Sequence, residues 1–137
     1  MKKHKATMPA NRYQAAAQFR AELRRFLRRS EDAARRTGIT PRQHLLLLQI
    51  AGADDGSTTV SQLVESLSLT QSAVTELVQR AEQAGLVQRA GSRTDGRVVH
   101  LTLTAEGSRR LAAVHDALGP ERTHLRRLVD ELDADDI

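Results

Sequence analysis

Residues 59–87, TVSQLVESLSLTQSAVTELVQRAEQAGLV, decide the fold. Thr59 stands where a helix N-cap is wanted. The apolar Val60, Leu63, Val64 and Leu67 then recur at steps of three and four, which predicts a helix over 60–67. Ser68 and Leu69 leave room only for a tight turn. Thr70 caps a second helix over 71–84, with Val74, Leu77 and Val78 on one face and Gly85 as its stop. Because Leu63, Val64 and Leu67 can meet Val74, Leu77 and Val78, the pair reads as a helix-turn-helix. Glycine is frequent in such turns, and here Ser68 takes its place.

Downstream, Leu86-Val87-Gln88-Arg89 is strand-like, and residues 91–96 form a turn-rich loop with an Asp95-Gly96 step. Val99, Leu101 and Leu103 then alternate with His100 and Thr102, the pattern of a half-buried strand. A hairpin directly after the second helix is a wing, so the motif becomes a winged helix-turn-helix. Upstream, Thr40 and Pro41 open a helix over 41–51, nearly all apolar after His44, which must be a central buried element. Residues 52–59 collect Gly, Asp, Ser and Thr as a loop.

The outer segments are helical as well. From Asn11 to Arg36, Tyr13, Ala16, Ala17, Phe19, Leu23, Phe26, Leu27, Ala33 and Ala34 fall at helical spacing, and Arg20, Arg24, Arg25, Arg28 and Arg29 take the other face. An aromatic seam of that length suits a partner chain. Residues 1–10, polar and basic around Pro9, read as a flexible basic arm. Thr104 caps a further helix carrying Leu111, Val114 and Leu118, which Gly119-Pro120 breaks. Leu125, Leu128, Val129 and Leu132 continue the apolar seam, and Asp133–Ile137 reads as the acidic first turn of another helix. The expected fold is mainly α with a small β-hairpin wing. One domain spans 11–137, with the winged helix-turn-helix lobe over 40–104 between helical segments at 11–37 and 105–137.

Composition narrows the function. The chain has 137 residues, enough for one core. Its net charge is +4, spread as +8 over residues 1–36, −1 over 37–120 and −3 over 121–137. That balance leans toward an anionic partner, and any contact from the middle must rest on a few placed arginines. Cysteine is absent, which excludes disulfides, thiolate–metal sites and thiol catalysis. All three lysines are Lys2, Lys3 and Lys5, so the body of the chain offers neither a P-loop lysine nor a buried Schiff-base lysine. With Tyr13, Phe19 and Phe26 the only aromatics, there is no platform for stacking unpaired bases, and a duplex is the nucleic acid that fits. The histidines His4, His44, His100, His115 and His124 lack metal-ligand spacing, and no hydrolase or metalloprotease motif is present. We therefore expect no metal, no cofactor and no enzymatic activity. The longest apolar run, Leu45–Leu48, is too short to span a bilayer, so a cytoplasmic protein without a membrane partner is expected.

On the second helix, Gln71, Ser72, Thr75 and Gln79 fall on or near one exposed face, flanked by Thr70 and Arg80. Glutamine can pair bidentately with adenine, and hydroxyls can bond phosphates or base edges. The same row also reads as an ordinary polar helix face. Glu76 would repel phosphate unless it accepts from a cytosine amino group or pairs with Arg80 four residues on.

The run from Thr40 to Gly107 resembles the MarR-type (multiple-antibiotic-resistance regulator) family of dimeric winged-helix repressors. The motifs are Thr40-Pro41-Arg42-Gln43-His44, the segment Leu69 to Val87 closing on Gly85-Leu86-Val87, Asp95-Gly96-Arg97, and Leu103-Thr104-Ala105-Glu106-Gly107. The resemblance implies a homodimeric regulator of a pseudo-palindromic operator in double-stranded DNA, its terminal helices forming the dimer body. It implies that Arg97 enters the minor groove, oriented by Asp95, and makes Arg93 a phosphate contact. It further implies release of DNA by a small aromatic or phenolic ligand, met by His44 and Arg20. In relatives a helix follows the acidic stretch. Either the first helix and the 105–132 segment suffice for the dimer, or the chain dimerises poorly. The other reading is a winged-helix protein-interaction module that has lost DNA binding, which Glu76 and the near-neutral middle segment favour.

Overall fold

The computed structural model describes the backbone of residues 3–91 and 98–137, and side chains over 11–90 and 98–137. Among the described residues, six helices and one hairpin follow in order: α1 (Lys3–Arg36), α2 (Pro41–Ala51), α3 (Val60–Leu67), α4 (Gln71–Gln83), β1 (Val87–Gly91), β2 (Val99–Leu103), α5 (Ala105–Ala117) and α6 (Gly119–Asp130). Short 3₁₀ turns lie at Asp54–Gly56 and Ala134–Asp136. The expected class, mainly α with a hairpin wing, is the one observed.

Threonine starts each α-helix of the lobe. Thr40, Thr59 and Thr70 accept from the N–H groups of Gln43, Gln62 and Ala73, and the first two complete capping boxes with those glutamines. α2 is the central element. Its Leu46, Leu47 and Ile50 are fully buried and pack with Ala34 of α1, Leu63 of α3, Val74, Val78 and Ala81 of α4, Leu101 of β2 and Val114 of α5. The strands pair antiparallel from Val87 opposite Leu103 to Gly91 opposite Val99. Thr58, ahead of α3, exchanges both backbone hydrogen bonds with Leu101 and adds a single bridge to the hairpin's inner edge.

Two departures from expectation concern the ends. α1 runs back to Lys3, through most of the stretch read as a flexible basic arm. Proline's preset φ suits helical backbone, so Pro9 costs α1 the hydrogen bond it would have made to the Lys5 carbonyl without ending the helix. The acidic end folds as the 3₁₀ turn Ala134–Asp136, capped by Asp133, rather than opening a regular helix, and it packs on α1. There the Arg20 guanidinium donates to the Ile137 carbonyl at 3.2 Å. As expected, the Gly119-Pro120 step separates α5 from α6, with Pro120 in the first turn.

Candidate nucleic-acid interface

α4 is the helix that the turn presents. Its buried residues Val74, Leu77, Val78 and Ala81 occupy one arc, and Gln71, Ser72 and Gln79 are exposed on the other, with Thr75 half-buried at its edge. At about 100° per residue, Gln71, Thr75, Gln79 and Ser72 share one flank within an arc of roughly 100°. Thr70 is engaged as the N-cap, its hydroxyl accepting from Ala73 N–H at 3.1 Å. Arg80 lies on the opposite flank, where its guanidinium pairs with Glu76 at 2.8 Å. The structure thus gathers four of the six expected α4 residues and sets Thr70 and Arg80 to other tasks. Arg93, Asp95 and Arg97 of the expected wing tip lie outside the described residues.

What holds α4 against the wing was only partly visible in the sequence. Gly85, at φ +76°, turns the chain out of α4, a conformation that favours glycine. Thr104, read as a simple cap, does three things at this junction. Its hydroxyl donates to the Gly85 carbonyl at 2.6 Å and accepts from Gly107 N–H at 3.0 Å, and its own N–H donates to the Leu86 carbonyl. Gly107 lies so close to that segment that a Cβ there would run into the Leu86 carbonyl oxygen. The Leu-Thr-x-x-Gly motif is therefore a close-approach joint between α5 and the end of α4. A second tie is the ion pair from Arg89 on β1 to Glu82 on α4, 2.8 Å long, which no local spacing announced.

A cleft of about 500 Å³ opens behind α4, lined by Glu31 and Arg35 of α1, Thr40–Gln43 at the start of α2, and Ala73, Glu76, Leu77 and Arg80 of α4. The expected ligand residues are not part of it. His44 turns into the core at 6% exposure, and burial, with the charge of His115 adding to it, pushes its imidazole below the ordinary histidine range. Arg20 sits thirteen residues along α1 from Ala33, about 20 Å away at the helical rise, and is held by Ile137. The fold does not bring the two together, because α1 meets α2 only near its C-terminal end while Arg20 belongs to the half covered by the 3₁₀ turn.

The comparisons with known proteins agree with this geometry. A family described as the MarR family matches residues 37–98, which span α2 to the start of β2. The HTH-type transcriptional repressor MdtR of Bacillus subtilis is 36% identical over 76 residues. That alignment covers 56% of this chain and 48% of MdtR, so the chain spans about half the length of that relative. The crystal structure of the YusO protein from Bacillus subtilis is 27% identical, covers 86% of this chain and 80% of its own, and superposes with a TM-score of 0.60. A mutant MarR from E. coli, solved in complex with operator DNA, shares the fold at 24% identity and a TM-score of 0.65, over 88% of this chain and 83% of its own. Residues 37–98 thus resemble the MarR family, and the chain shares the winged helix-turn-helix fold of these solved structures.

Proposed function

We propose that the chain is a homodimeric, ligand-responsive repressor that binds a pseudo-palindromic operator in double-stranded DNA. The observation that carries this reading is the row Gln71, Ser72, Thr75 and Gln79 on a helix capped at one end by Thr70 and tied to the wing at the other. Such a row offers the amide and hydroxyl groups that read adenine and phosphate in a major groove, while Arg97, oriented by Asp95, takes the adjacent minor groove and Arg93 meets phosphate. It is supported by the repressor name of MdtR and by the operator complex of MarR. A dimer is supported by Tyr13, 75% exposed, and Leu27, 47% exposed, on an outer face of α1 that none of the described residues covers. The cleft between α1, α2 and α4 is where a small ligand would enter, since it touches both the long terminal helix and the recognition helix.

Fluorescence anisotropy on the duplex upstream of the chain's own coding sequence, at low and moderate salt, tests the reading. Binding should weaken log-linearly as salt rises. The Arg97→Ala variant should lose about 1–3 kcal/mol of affinity, the scale of one groove contact. Salt-insensitive or absent binding would favour the protein-interaction module instead. The exposed carboxylate of Glu76 on α4 is the feature that lends that reading weight.

A further inference from the structure

Glu76 stands nearly at the outermost line of α4. The mean direction of Val74, Leu77, Val78 and Ala81 marks the buried side, and at about 100° per residue Glu76 lies roughly 30° from the line opposite to it, between Gln79 and Arg80. Its side chain is 62% exposed. Any docking that lays the exposed arc of α4 into a major groove therefore carries this carboxylate in with it. A bare carboxylate there faces two phosphate backbones and base edges rich in acceptors, and it binds nothing unless it meets a donor. Arg80 supplies one, at 2.8 Å to one carboxylate oxygen, and neutralises the charge. An ionised carboxylate has about four acceptor positions, so the second oxygen remains available.

We infer that Glu76 determines specificity, accepting a hydrogen bond from the exocyclic amino group of a cytosine in each half-site while Arg80 holds it in place. Cytosine N4–H₂ and adenine N6–H₂ are the major-groove donors, but adenine's stands beside its N7 acceptor, which repels a carboxylate, and guanine N7 and O6 and thymine O4 offer only acceptors. The inference rests on the DNA-binding reading above. Arg80 here is a positioning residue.

The experiment starts from duplexes selected in vitro by the full chain from a random pool. If no duplex is enriched, the DNA-binding reading itself fails and Glu76 has nothing to read. With an enriched duplex in hand, every position of one half-site is replaced in turn, and binding is measured for the unaltered chain, Glu76→Ala and Glu76→Gln. The expected result is one C·G position where replacement by G·C or T·A weakens binding of the unaltered chain about 10-fold, within the range for one mismatched pair. At that position Glu76→Ala should be indifferent, and Glu76→Gln should shift preference toward adenine. Arg80→Ala, which frees the carboxylate, should reduce discrimination at that position as well as weaken binding to every duplex. If Glu76→Ala shows the same position-by-position profile as the unaltered chain, the assignment is overturned.

Discussion

At the scale of single residues, Ser68 is the clearest anomaly. It ends α3 at φ 55° and ψ 42°, the left-handed region, in the position where a helix-turn-helix usually places glycine. A non-glycine residue there costs about 1–2 kcal/mol, while glycine's extra chain entropy costs about 0.5–1 kcal/mol. Ser68→Gly should therefore raise stability by about 0.5–1 kcal/mol, read as a higher urea midpoint with an unchanged slope. His44 yields a pH prediction. Its pKa is lowered on folding from 6.5, first by burial and then by His115, so between the two values the unfolded chain binds more protons. This contribution to stability is complete above pH 6.5 and is lost as pH falls from there through the lowered folded value. Urea midpoints measured from pH 7.5 downward should fall for the unaltered chain and fall less steeply for His44→Gln.

Between elements, the joint of α4, β1 and α5 sets the angle of α4 to the wing. Thr104 caps α5 and also bonds the turn that ends α4, so one side chain serves two elements. Removing an N-cap hydroxyl costs about 1 kcal/mol on average. Thr104→Ala should exceed that average because the Gly85 contact goes too, and Thr104→Ser should restore most of the loss in chemical denaturation. The sequence made half of this joint legible. Thr104 before Ala105-Glu106-Gly107 reads as a cap because capping is a local, three-residue relation. The approach of Gly107 to Leu86 spans 21 positions, and nothing in local spacing forecasts it. The same distinction explains the two ion pairs of α4. Glu76 and Arg80 are one helical turn apart and could be paired on paper, whereas Glu82 and Arg89 sit on a helix and a strand.

For the whole molecule, α1 ties the lobe to the terminal helices. Ala33 and Ala34 at its far end are buried in the core of the lobe, while its middle and first half meet α6 and the acidic 3₁₀ turn. Removing residues 1–36 would therefore strip part of the core as well as the proposed dimer seam, and a point change is the sharper probe. Leu27→Arg, on the uncovered face of α1, should shift the protein from dimer to monomer in light scattering with its helical circular dichroism retained. A dimer that persists would place the interface elsewhere. The cleft belongs to this scale too, since it is bounded by three helices and touches α1 and α4 at once.

Periodicity, caps and turn residues determined the elements from sequence, because a helix face or a threonine cap is decided within about four residues. They placed α2 through β2 nearly to the residue and set Gln71, Ser72, Thr75 and Gln79 on one face. The motifs also carried the resemblance to the MarR family. Tertiary structure alone decided which side of the Leu45–Leu48 run is buried, that His44 faces the core, and that Arg20 bonds Ile137 rather than joining His44. It alone placed a cleft between α1 and the flank of α4. Each of those depends on where helices far apart in the chain come to lie, and packing, not local spacing, sets that.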